Sequence, residues 1–142
     1  ILYRLVGSEM CIRDRDKRIA NSDAIIILPG DIPLITTEEI ENFINDAPKN
    51  GIRIAPDRDR EGTNALLLAP PTLIKTQFGK LSYSRHLELA EKCCSNVEVI
   101  DSDGLAFDID SPEDLKDFCG TASSTKSYEF LKRNGIAASL LG

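Results

Sequence analysis

Ala24-Ile25-Ile26-Ile27-Leu28, followed at once by Pro29-Gly30-Asp31, is the stretch on which the reading of this fold turns. A strand with one wet face alternates apolar and polar residues. Here the apolar residues run on without a break and most are β-branched, which predicts a strand covered on both faces, as in a parallel sheet wrapped by helices. The Pro-Gly pair ends the strand and leaves Asp31 just past its carboxyl end, where open α/β sheets bind ligands.

Working outward, Thr36-Thr37-Glu38-Glu39 has the form of a capping box. Ile40, Phe43, Ile44 and Ala47 follow at i, i+3, i+4 and i+7, so an amphipathic helix is expected. Ile52 to Ala55 reads as a short strand, Pro56 to Thr63 as a polar loop, and Ala65 to Ala69 as a second buried strand before Pro70-Pro71. Ser82 to Cys94 is a second helix, with Tyr83, Leu87, Ala90 and Cys94 on one face. Val97 to Ile100 and Leu105 to Phe107 read as strands. Ser111-Pro112-Glu113-Asp114 starts a third helix, with an N-cap serine and proline in the first turn. Tyr128 to Arg133, stopped by Asn134-Gly135, is a fourth. Strands alternating with helices argue for an α/β layered sheet. There is no internal repeat and no low-complexity tract.

The chain has 142 residues, 42% of them hydrophobic and 28% charged, with a net charge of −6. That composition excludes a disordered or fibrous chain, and the length suits one domain. No apolar run approaches the roughly 18 residues of a membrane span and no secretory signal is present, so a cytoplasmic protein with no membrane partner is expected. An acidic chain lacks the positive field that nucleic acids require, so no nucleic-acid partner is expected. Cys11, Cys93, Cys94 and Cys119 show no metal-ligand spacing and are read as reduced thiols.

Residues 1–15 read differently from the rest. Leu5 to Arg15 (LVGSEMCIRDR) has neither a helical nor a strand period, and VGSEMCIRD resembles the in-frame translation of a transposon adapter used in sequencing. We therefore treat 1–15 as a non-native segment, expected to pack against nothing, and residues 16–142 as the C-terminal part of a single domain. The sole methionine, Met10, falls inside the segment set aside.

Three constellations could carry chemistry. Asp31 sits at a strand's carboxyl end, although a turn aspartate bonding its own backbone would look the same. Asp108 and Asp110 in LAFDID lie two apart on an extended segment, so both leave one face of the chain. They are either a solvated acidic edge or a pair with a cation between them, and oxygen-only donors suit Mg²⁺ rather than zinc. DREGTN (Asp59 to Asn64) and FGKLS (Phe78 to Ser82) place glycines beside hydroxyl residues, either as turn and cap residues or as an anion cradle at a helix N-terminus. His86 lies on the apolar face of its helix and reads as a hydrogen-bonded structural histidine. Arg58, Arg60 and Arg85 are open cases between solvated loop and phosphate contact.

Together LPGDIPLI, APDRDREGTNALLL, FGKLSYSRH and FDIDSPEDL occur in the order and spacing of one family. From Ser22 to about Phe118 the chain resembles the 2-phospho-L-lactate guanylyltransferases, also found as phosphoenolpyruvate guanylyltransferases, which make the first intermediate of a deazaflavin hydride-carrying coenzyme. The resemblance implies a nucleotidyltransferase-type, Rossmann-like layered sheet, incomplete at the N-terminus. It implies Mg²⁺ held by the residues matching Asp31, Asp108 and Asp110, and the substrate's phosphate and carboxylate met by those matching Thr63, Gly79 and Ser82. The implied partners are GTP and a small phosphorylated carboxylic acid, with room for a homodimer. The glycine-rich basic segment that grips GTP in the family has no counterpart upstream of Ile19, so the 142 residues alone are expected to be inactive. Two other readings share parts of this pattern: a nucleotidyltransferase acting on a molybdopterin or sugar phosphate, and a non-catalytic fragment that binds a phosphoacid or metal.

Overall fold

The computed structural model describes residues 2–6, 22–93, 96–121 and 123–142. Its centre is a mixed sheet of β1 (Leu2–Val6), β2 (Ile25–Pro29), β3 (Gly51–Pro56), β4 (Thr63–Ala69) and β5 (Val97–Val99), in the order β1-β2-β4-β3-β5. β4 runs antiparallel between β2 and β3, pairing Leu67 with both Ile26 and Arg53. The outer pairs, β1 with β2 and β3 with β5, are parallel. The buried apolar run at 24–28 thus belongs to a sheet with two layers of cover, as expected, but a mixed one.

The alternation of side chains along each strand divides the core. Ile25, Ile27, Ile52, Ile54, Leu66 and Leu68 face α2 (Ser82–Cys93), packing against Tyr83 and Ala90. Ile26, Ala55, Ala65, Leu67 and Ala69 face the other way, against Phe43 of α1 (Thr37–Ile44) and Leu105 of α3 (Asp103–Ala106). Each fully buried Ile or Leu contributes roughly 1.5–3 kcal/mol of transfer free energy, so register is fixed strongly: a one-residue slip would exchange the two cores. Further on, α4 (Pro112–Gly120), α5 (Lys126–Arg133) and α6 (Ile136–Leu141) gather around Phe118, whose ring lies 6.4 Å from Phe107 and 6.2 Å from Tyr128.

α1 opens with the expected capping box: the Thr36 hydroxyl accepts from Glu39 N–H, and the Glu39 carboxylate accepts from Thr36 N–H at 2.9 Å. The same carboxylate accepts from the Ser102 hydroxyl and from Gly104 N–H, which ties the start of α1 to α3. The other end of α1 is held by Arg53. Its guanidinium donates to the carbonyls of Asn42, Phe43, Asn45 and Asp46 and pairs with Glu98 at 2.6 Å. Carbonyls left over at a helix end are thereby satisfied by a charged fork from the sheet.

Three expectations need correction. Leu105 to Phe107 does not form a strand: Leu105 and Ala106 close the short helix α3, which starts just after Ser102, because three apolar residues carry too little period to separate the two states. A helix at Ile136–Leu141 was not expected. Leu2–Val6 does not stand apart but pairs in parallel register with β2, Tyr3 opposite Ile26. An open edge of β2 offers unpaired N–H and C=O groups to any extended neighbour, whatever its origin. Residues 7–15, and with them the rest of the expected non-native segment, lie outside the described residues. Among the described residues no helix is long and apolar enough to cross a membrane.

Candidate active site

The topology sends one end of every central element to the same place. β2 and β3 end there, β4 begins there with Thr63 and Asn64, α2 begins there with Ser82, and the chain returns through residues 107–110. The result is a cavity of about 500 Å³ at the carboxyl ends of β2 and β3. Asp31, Thr63, Gly79, Ser82, Asp108 and Asp110, the six candidate residues from the sequence, all line it.

Asp31 and the Asp108–Asp110 segment are joined through the backbone, Ile109 N–H donating to Asp31 C=O at 3.0 Å. Ile109 therefore anchors the segment while its two neighbours face the cavity. Burial pushes the Asp108 carboxyl up from the ordinary carboxylate range, and the charges of Asp110 and Asp57 push it further. Its own backbone N–H and the Asn64 amide act the other way. The Asn64 Nδ2 nonetheless stops short of a hydrogen bond, leaving this buried donor without a partner among the described residues. Ser111 caps α4, its hydroxyl accepting from Asp114 N–H, and the Asp114 carboxylate accepts in turn from the N–H groups of Asp110 and Ser111.

Opposite the carboxylates lie the hydroxyls. Thr63 and Ser82 are buried and touch, Ser82 Oγ lying 3.2 Å from Thr63 Oγ1, and His86 Nδ1 sits 3.0 Å from the same Thr63 oxygen. His86 is indeed hydrogen-bonded and fully buried. Gly79 has a φ of +104°, a conformation that a side chain would strain, although there is room for one.

The loop that delivers Thr63 is organised by Asp57. Its carboxylate accepts from Glu61 N–H at 2.9 Å and from Gly62 N–H at 2.6 Å, and a Cβ on Gly62 would collide with it. Sequence reasoning did not single out Asp57, Glu61, Asn64 or Lys80: the last three stand inside the DREGTN and FGKLS motifs, and only the general polarity of the loop hinted at Asp57. Arg58 and Arg60 point elsewhere. Arg58 stacks on Phe107 at 4.4 Å and pairs with Asp114, whereas Arg60 pairs with Asp101 at 2.6 Å and donates to the Tyr83 hydroxyl.

The lining combines five carboxylates, Asp31, Asp57, Glu61, Asp108 and Asp110, with one cation, Lys80, among the described residues. Such a cavity repels an anion unless a hard cation intervenes, and an all-oxygen donor set is the chemistry that magnesium takes. In geometry, no group of three such side chains among the described residues is drawn together closely enough to hold a metal ion.

Residues 13–140 match the family described as Guanylyl transferase CofC like. The phosphoenolpyruvate guanylyltransferase of Sphaerobacter thermophilus is 41% identical over 101 residues, 71% of this chain and 49% of that protein. The 2-phospho-L-lactate guanylyltransferase of Methanocaldococcus vulcanius is 37% identical over 116 residues, 82% of this chain and 52% of that protein. The chain spans about half the length of the curated relatives it matches. A crystal structure assigned as a nucleotide-diphospho-sugar transferase from Desulfovibrio desulfuricans superposes with a TM-score of 0.64 at 18% identity, covering 85% of this chain and 56% of that one, a likeness of fold. The family match over nearly the whole chain, together with these relatives, means that the chain belongs to the CofC-like guanylyl transferase family.

Proposed function

We propose that this protein acts in the cytoplasm, joining GMP from GTP to a small phosphorylated carboxylic acid, phosphoenolpyruvate or 2-phospho-L-lactate, with release of pyrophosphate. The observation that carries the reading is one cavity lined both by Thr63, Gly79 and Ser82 and by Asp31, Asp108 and Asp110. The first three hold the phosphoacid. The attacking group is one of its phosphate oxygens, ionised at neutral pH, so no protein base is required. That oxygen bonds to the α-phosphorus of GTP, the α–β phosphoanhydride bond breaks, and its electron pair leaves with pyrophosphate.

What the protein must supply is the holding together of two anions and a field that favours charge spread over the reacting phosphate. Asp31, Asp108 and Asp110 would have to draw closer than they stand here to hold Mg²⁺ together, and the ion when bound would supply the positive charge that the lining itself lacks. The hydroxyls and the Gly79 turn orient the phosphoacid, and the half-buried setting of the Asp108 carboxyl strengthens the electrostatics by limiting water.

Calorimetric titration of the 142-residue chain with each phosphoacid in Mg²⁺ buffer tests the reading. Saturable binding that Ser82→Ala weakens is expected, and comparison of the two phosphoacids assigns the substrate. Absence of binding for both, or a Ser82→Ala variant that binds as well as the parent, overturns it.

A further inference from the structure

We infer that His86 is a positioning residue whose single ring proton sets the Thr63–Ser82 pair to donate into the cavity; the inference rests on the phosphoacid reading above. The argument begins at the far side of the ring. Gln77 N–H donates to His86 Nε2 at 2.9 Å. A backbone amide can only donate, so Nε2 must offer a lone pair, and the neutral imidazole carries its proton on Nδ1. Nδ1–H then donates to Thr63 Oγ1, 3.0 Å away.

The consequence follows from counting hydrogens. Thr63 Oγ1 accepts from His86 and, at 3.2 Å, from Ser82 Oγ. A hydroxyl has two lone pairs and one hydrogen, so the Thr63 hydrogen is left to point at the cavity that Thr63 lines. If the two hydroxyls turn the other way, Thr63 donates to Ser82, and the remaining hydrogen sits on Ser82, which lines the same cavity. In both arrangements one O–H donor faces inward, as a phosphate or carboxylate oxygen requires.

The opposite tautomer reverses the outcome. With the proton on Nε2, Nδ1 would take the Thr63 hydrogen, and a donor could face the cavity only if Ser82 gave up its bond to Thr63. Gln77 N–H forbids that tautomer, since two hydrogens would meet across 2.9 Å. The ring plane is fixed by Phe78, whose edge-on contact lies at 5.1 Å and 71°. Ser82 and His86 stand four residues apart on α2, one above the other on its buried face. The bond from Gln77 also closes the base of the loop that carries Gly79, so one ring sets both the hydroxyl polarity and the loop.

His86 is the sole histidine of the chain, so a long-range ¹H–¹⁵N spectrum of the ¹⁵N-labelled, ligand-free chain reads its tautomer without assignment. A protonated Nδ1 and a bare Nε2 are expected; a protonated Nε2 overturns the inference. Calorimetry with phosphoenolpyruvate in Mg²⁺ then compares variants. His86→Leu, which frees the Thr63 hydroxyl to rotate and releases Gln77 N–H at the base of the Gly79 loop, is expected to weaken binding ~10-fold. His86→Gln, which carries both an acceptor and a donor at its tip, is expected to restore most of it. Thr63→Val, which keeps the shape and removes the donating hydroxyl itself, should weaken binding at least as much. A folded His86→Leu chain that binds as tightly as the parent overturns the inference, whereas a folded Thr63→Val chain that does so overturns the phosphoacid reading. A parent chain that binds no phosphoacid overturns the functional reading instead, and the tautomer remains readable without any ligand.

Discussion

Replacing Asp108 by Asn should change phosphoacid binding in opposite directions with and without magnesium. The cavity opposes an anion with five carboxylates against one lysine. In chelating buffer, therefore, removing one of those charges should help. A unit charge about 6 Å from another is worth roughly 0.7 kcal/mol per ligand charge at the dielectric of water and about 3 kcal/mol at the value of about 20 that suits pairs near a protein surface, so roughly 1 kcal/mol per charge is a figure near the lower end. For a dianion that is roughly 2 kcal/mol, or about thirtyfold in affinity, shrinking as salt is added. In magnesium the sign reverses, because the lost charge is one that would hold the cation. Turnover by the full-length protein should then fall by on the order of a hundredfold to a thousandfold, ~3–4 kcal/mol. The fold should survive, since burial and the neighbouring charges of Asp110 and Asp57 all disfavour the ionised Asp108 that the substitution removes. Titrations with and without chelator, alongside thermal melts at pH 7, provide the test. Equal weakening in both buffers, or a variant that unfolds, would refute this account of the acidic wall.

Arg53→Met should cost about 3–5 kcal/mol, because four carbonyls at the end of α1 lose a buried charged donor together; at ~2–4 °C per kcal/mol the melt should drop by roughly 10 °C, and a drop under about 3 °C would be inconsistent with the bonding described. Burial alone would raise the Glu39 carboxyl, but hydrogen bonds from Ser102, Thr36 and Gly104 outweigh it and hold it below the ordinary carboxylate range. A depressed folded value means stability present above the unfolded value and lost as pH falls through the folded one. Glu39→Gln should therefore destabilise at pH 7, by about 1–2 kcal/mol, with the gap from the parent closing below about pH 4; urea titrations across that window check it. Gly62→Ala should disturb the Asp57 loop and weaken phosphoacid binding more than it lowers the melting temperature, and calorimetry beside a melt separates the two.

What the sequence makes legible depends on where the physics is local. The run at 24–28 announced cover on both faces because no polar residue interrupts it, and the capping boxes at Thr36 and Ser111 announced helix starts because their partners are three residues away. Arg53 sits between two isoleucines and looks like the wet side of an alternating strand; nothing nearby in sequence says that a helix end lies over it. The second task of Glu39, on residues 63 and 65 positions later, is invisible for the same reason. Asp31 could be placed from the strand it follows, and the Asp108–Asp110 pair from its spacing. Thr63, Gly79 and Ser82 drew their meaning from family resemblance, since hydroxyls beside glycines are common in turns. Arg58 and Arg60 were open cases that only tertiary acidic partners, Asp114 and Asp101, could decide. His86 was legible as structural but not as the donor to Thr63, because a tautomer depends on what faces each nitrogen.

The clamping of α1 at both ends has a consequence for the order in which parts of the molecule can come and go. A helix of eight residues has almost no stability by itself. Its start is held by α3 and its end by β3, so it cannot fray without releasing a carboxylate at one end or a guanidinium at the other. Its amide protons should exchange with solvent only when the sheet itself opens. The helices at Lys126–Arg133 and Ile136–Leu141 bury between them only Ala137. They can detach while the sheet and cavity remain, so hydrogen exchange should divide the chain into a slow unit that contains the cavity and a fast C-terminal one.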